Sequence, residues 1–231
     1  MRETAKIRQM IGMADSCELL ALTFGFPDES LAAALASGAY ASDALDCLSD
    51  AEADEITLAR VRSALHVFAD ADVDALLVRM KRDYSLLYLA PEPDGRIWTY
   101  EAPFRYVAQN KAGAPSLFRS PTTLDVEACM RKAGVTVDDD RKEPADSIRN
   151  EFLFLSHLHK NLALALIAED ASDARKWTLS IESFAEKHVL VWLLPFMELT
   201  RDRAEIIQCA DEYVALSIVG SALGAILSET A

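Results

Sequence analysis

Glycine and proline are scarce in this chain, with eight of each among 231 residues. Few positions therefore break a helix, and alanine and leucine, which favour helices, are abundant. Basic charge is also short: 23 Lys and Arg stand against 37 Asp and Glu, a net charge of −14. Such a chain is repelled by phosphate backbones, which excludes nucleic acid as a partner, and anionic membranes are disfavoured for the same reason. A basic partner is compatible with this charge, although solubility alone also accounts for it.

Cysteine is sparse and unpaired in sequence. Cys17, Cys47, Cys129 and Cys209 form no CxxC motif and sit in helical-looking segments, as buried thiols do. That pattern, with charges in "MRETAKIRQMIGMADSCELL" where a signal peptide would be apolar, points to the reducing cytoplasm. No apolar run is long enough for stable membrane insertion. The uncharged stretch "YVALSIVGSALGAIL" at 213–227 falls short of the ~20 residues a spanning helix needs and reads as a core helix.

Catalytic signatures are absent as well. No phosphate-binding loop, GxGxxG or GxSxG occurs, and none of His66, His157, His159 and His188 lies three residues after a glutamate. His157 and His159, two apart, fall on different sides of a helix. Asp138, Asp139 and Asp140 read as a solvated loop. No cofactor, metal site or catalytic residue is expected.

What is present is helical periodicity. Ile7, Met10, Ile11, Ala14, Cys17 and Ala21 step by three and four before Gly25-Phe26-Pro27. Asp28 caps a short helix ending near Leu35, and another begins near Ala41. Stripes at Ile56–Phe68 and Val73–Leu87 follow, then a capped helix in "SPTTLDVEACMRKAG". A long helix spans about Ala145–Glu169, and Ser172 caps the next, through Lys187. "HVLVWLLPFMELTRD" must kink or restart at Pro195, and a last helix covers about Arg203–Ser228. With a hydrophobic content of 51%, the chain is expected to be one all-α bundle of about ten helices. Its N-terminal half is 1–137, its hinge 138–144 and its C-terminal half 145–231; the hinge would allow a monomer or a domain-swapped homodimer.

One segment departs from this regularity. "DYSLLYLAPEPDGRIWTYEAPFRY", Asp83–Tyr106, gathers four tyrosines, a tryptophan, a phenylalanine and three prolines, and reads as a loop rather than regular helix. Such rings either line a groove or fold back into the core.

Together with "EPADSIRNEFLFLSHL" (143–158) and "EKHVLVWLLPFMELT" (186–200), this segment resembles the TorD/DmsD/NarJ family of redox-enzyme maturation chaperones. There a "Y-x-x-L-F" helix end leads to a "P-Y-E-S-x-Y"-like loop, an "E-P-x-D-x-x-x-x-E-L" helix start and then "H-L-x-x-W-x-P". The resemblance implies a cytoplasmic chaperone without catalysis. Its partner would be the twin-arginine leader or the apo form of a molybdopterin oxidoreductase catalytic subunit, held until cofactor insertion.

The resemblance also implies a peptide-binding set. Asp146 matches the motif's aspartate, and either accepts a leader arginine or starts a helix whose dipole favours carboxylates. Asp146→Asn is expected to weaken leader binding at a nearly unchanged thermal midpoint if the first reading holds. Ser147 stands where many relatives have histidine. Tyr100, Glu101 and Phe104 match the aromatic loop, with Trp98 two residues earlier. Tyr84, Leu87 and Tyr88 match the helix end, with core packing as their default. Glu151 matches the second acid, and His188, Trp192 and Pro195 the third motif. A delta-type assembly factor that recognises a subunit without intact twin arginines, and a helical enzyme acting on a small molecule, are the competing readings.

Overall fold

Residues 2–90, 96–110, 113, 116, 119–135, 143–207 and 211–230 are described by a computed structural model. The Pro-rich tip at 91–95, the aspartate triplet with most of the hinge, and Cys209 lie outside the described residues. Among those residues there are eleven α-helices and no strand, as the periodicity requires. They are α1 Arg2–Thr23, α2 Glu29–Ala36, α3 Ala39–Asp50, α4 Glu55–Leu65, α5 Val73–Tyr88, α6 Glu101–Ala108, α7 Pro121–Lys132, α8 Ile148–Ile167, α9 Ala171–Phe184, α10 Leu193–Ile206 and α11 Asp211–Thr230.

Side-chain caps set many of the boundaries. Asp28, Asp54, Asp72, Ser120, Ser147 and Asp170 each accept a hydrogen bond from a first-turn backbone N–H. Asp170 therefore takes the role expected of Ser172, because its carboxylate reaches the amides of both Ser172 and Asp173.

Two further boundaries differ from expectation for physical reasons. Pro195 occupies the third residue of α10, where a missing N–H costs no intrahelical bond; the helix restarts there rather than kinking. Before it, α9 runs into a π-helical turn, Ala185–Val189, in which Leu190 N–H donates to Ala185 O at 2.8 Å. The last helix begins at Asp211, not near Arg203, because α10 continues to Ile206.

At the centre, α1 packs along α8, α11 along α10, and α3 and α4 flank them. Met13 and Leu20 of α1, Phe24 just beyond its end, and Phe152, Leu155 and Leu158 of α8 are buried together in the core. Residues 211–229 of α11 are apolar and long enough to cross a membrane, yet 67% of their spanning window is buried inside the bundle. Tyr213, Leu216 and Leu223 are fully enclosed, so packing accounts for this composition.

Candidate functional site

The segment read as an aromatic loop contains a helix. Tyr84 and Tyr88 lie in the last turns of α5, and Glu101–Ala108 is α6. Pro103 did not prevent this, since it occupies the first turn, where its missing N–H goes unused. The N-cap of α6, Tyr100, supplies no side-chain bond. The cap instead comes from 46 residues further along: Glu101 N–H donates to Asp146 O at 2.8 Å, and Ala102 N–H donates to Asp146 Oδ2 at 3.0 Å.

An antiparallel bridge pairs Tyr100 with Ser147, and Ile148 N–H donates to Thr99 O at 2.9 Å. Ser147 then caps α8 with its own hydroxyl, which accepts from Asn150 N–H. The first two motifs are therefore two halves of one seam, in which a single strand-like crossing starts both helices.

The third motif closes over it. His188, carried by the π-helical turn, places Nδ1 at 2.8 Å from Glu101 Oε2 and Nε2 at 3.1 Å from Asp125 Oδ2. Lys187 pairs with Asp125, and Arg105 reaches back one turn to Glu101. Lys187, with His188, holds the Asp125 carboxyl below its ordinary range. Trp192 Nε1–H donates to Glu151 Oε2 at 2.9 Å.

Glu101, Asp146 and Glu151 thus form a buried acidic group, each no more than 2% exposed. Burial drives the Glu151 carboxyl well above its ordinary value, and the charge of Glu101 adds to it. Asp146 is also raised by burial, against the opposing Ala102 N–H and Thr123 hydroxyl.

The rings gather around Phe196. Tyr88 stacks on it at 5.8 Å, and Phe104, Trp192 and Phe24 contact it between 5.4 and 6.0 Å. Tyr84 lies 4.8 Å from Tyr88, and Leu87 is buried beside them. Trp98 is buried, with the Arg96 guanidinium 3.7 Å above its ring.

The motif residues are therefore brought together, but eleven of the twelve lie at 8% exposure or less. Tyr100 alone is half-buried. It lies within electrostatic reach of Glu143, and burial followed by that charge raises its hydroxyl. Tyr84, which lies within electrostatic reach of both Tyr100 and Glu143, packs edge-on at 5.4 Å against Phe26, which is 56% exposed.

Sequence reasoning missed Asp125, Lys187 and Arg105. The Glu101–Arg105 spacing of four was readable as a helical pair once α6 was seen as a helix. Asp125, 63 residues from His188, left no local signal. Among the described residues, no three His, Cys, Asp or Glu side chains are grouped to hold a metal ion.

The nitrate reductase delta subunit family matches the chain over residues 50–198, more than half of its length and all of the seam. No individually curated protein matches it.

Proposed function

Because the chain belongs to the nitrate reductase delta subunit family, whose members assemble molybdoenzymes, we propose that it is a cytoplasmic assembly chaperone without catalysis of its own. It binds the apo form of a molybdopterin oxidoreductase catalytic subunit through that subunit's N-terminal segment and holds it until the cofactor is inserted. The observation that carries this reading is the family match spanning the whole seam from Tyr84 to Trp192.

The arrangement of the seam supports it. A carboxylate-and-histidine frame underlies an edge where the half-buried Tyr100 and Glu143 and the exposed Phe26, packed on the buried Tyr84, meet solvent. An apolar segment with basic residues complements such an edge. The delta-type match favours recognition of an N-terminal segment that need not carry an intact arginine pair; a twin-arginine leader is the narrower case.

Titration with the first 30 or so residues of the oxidoreductase subunit encoded nearby, followed by heat and by emission from Trp98 and Trp192, tests this. Saturable binding is expected, and it persists when paired arginines are replaced by lysine if recognition is of the delta type. Loss of binding on that exchange identifies a twin-arginine leader. A protein that captures neither the peptide nor the full apo-subunit is not this chaperone.

A further inference from the structure

A second surface lies apart from the seam, on the helices that precede residue 50. The backbones of α1 and α3 meet at Gly12, where a Cβ would fall 2.6 Å from both Cys47 O and Ala51 N. Beyond that contact, two adjoining clefts of about 350 and 290 Å³ open between α1, α3 and α2, and share Leu19, Leu22 and Asp43 in their walls.

The apolar floor is unusual for a surface. Leu22 is 60% exposed and Phe26 56%, with the half-buried Leu19 between the helices. Acids line both sides. Asp15 lies on α1 in the same helical face as Leu19 and Leu22, and Asp43 and Asp46 follow one another along α3. Asp15, Asp43 and Asp46 form no ion pair among the described residues, while the neighbouring Glu18 is taken up by Lys160 of α8. Partial burial, joined by Glu18 and Asp50 against the pull of Lys160, raises the Asp15 carboxyl.

We propose that this groove is the docking site for an amphipathic helix whose apolar stripe is flanked by lysine or arginine, supplied by the N-terminal segment of the client subunit. The identity of the occupant rests on the chaperone reading above. Asp15 to Leu22 covers about 10 Å of α1, and with Phe26 beyond it the floor accommodates two to three turns of a docked helix. Apolar side chains at i, i+3 or i+4 and i+7 seat on Leu19, Leu22 and Phe26, and basic flanks meet the carboxylates of Asp15, Asp43 and Asp46. Because Phe26 also packs on Tyr84, the groove ends at the edge of the seam. Every lining residue precedes the region shared with the family, so the groove selects the client rather than defining the family.

The test uses a fluorescently labelled synthetic peptide of the first 30 or so residues of the neighbouring oxidoreductase subunit, read by anisotropy. Wild type is compared with an Asp43→Lys/Asp46→Lys double variant and with Leu22→Ser, all at exposed positions, and with Asp173→Lys on α9 as control. Both groove variants are expected to bind at least about tenfold more weakly at unchanged thermal midpoint, the control to match wild type, and wild-type affinity to fall as salt is raised. Unaltered affinity in both groove variants overturns the groove and leaves the chaperone reading standing. So does a wild type that ignores the peptide yet captures the full apo-subunit; failure of both captures overturns both. If the variants change only the sedimentation of the protein, the groove holds a second copy and the proposal is wrong.

Discussion

Replacing Asp146 by alanine and, separately, by asparagine distinguishes a cap from a charge. In the native fold its Oδ2 accepts the Ala102 N–H at 3.0 Å, and α6, eight residues long, has no side-chain cap of its own. Losing an N-cap acceptor costs about 1 kcal/mol and up to about 2. The stranded first-turn N–H presses toward the upper end of that range. Against this, burial raises the Asp146 carboxyl and Glu101 repels it, so removing the charge returns part of the loss.

The balance for Asp146→Ala is a loss of about 1–2 kcal/mol, or a midpoint lower by roughly 2–8 °C in a chain of this size. Asp146→Asn keeps an oxygen acceptor without the charge and should stay within about 0.5 kcal/mol of wild type. Thermal unfolding by circular dichroism reads both, and hydrogen exchange of the α6 amides locates the change. Equal destabilisation by the two substitutions would refute the cap argument. Weakened peptide binding by Asp146→Asn at that near-normal midpoint would, in addition to the cap, assign the carboxylate to a basic residue of the partner.

Two other perturbations have signs fixed by burial. His159 is 2% exposed with neither ring nitrogen hydrogen-bonded among the described residues, and burial pushes it down to about 4 from 6.5. The unfolded chain therefore binds the proton more readily, and its contribution is complete above pH 6.5 and falls away toward pH 4. That loss amounts to about 3 kcal/mol, so His159→Leu should flatten the acid limb in denaturant titrations at pH 4.5 and 7. Glu151 shifts the other way. Its stability contribution is present below its ordinary value near 4.5 and is lost as pH rises toward its elevated folded value. Glu151→Gln should thus equal or exceed wild type at pH 8, with the advantage vanishing near pH 4.5; a less stable variant at pH 8 would show that the ionised carboxylate is needed.

Much of the helical frame was legible because its signals are local. Asp28 and Ser120 announced their caps, and the three-and-four stripe of Ile7 to Ala21 announced α1. Helix α6 was hidden because its start is set by Asp146, a partner remote in sequence, while its own residues include Pro103 and aromatics that suggest a loop. The structure joins the motif residues in one seam, but their depth could not be read from the sequence. Ring burial depends on Phe196, which stands outside every quoted motif position yet organises Tyr88, Phe104 and Trp192. The groove before residue 50 gave no sequence signal because its acids belong to two helices whose approach depends on the bare backbone at Gly12.

The long-range cap has a consequence for synthesis on the ribosome. An eight-residue helix does not persist alone in water. Until Asp146 leaves the exit tunnel, α6 therefore has neither its first hydrogen bonds nor the bridge to Ser147. At translation rates of ~5–20 residues per second, roughly two to nine seconds separate Glu101 from Asp146. The wait of α1 is longer still, because the face that carries Met13 and Leu20 is covered by α8, residues 148–167. The nascent chain thus keeps Met13 and Leu20 uncovered by α8 for most of its own translation, and for that interval an assembly chaperone itself presents the apolar surface that general chaperones bind.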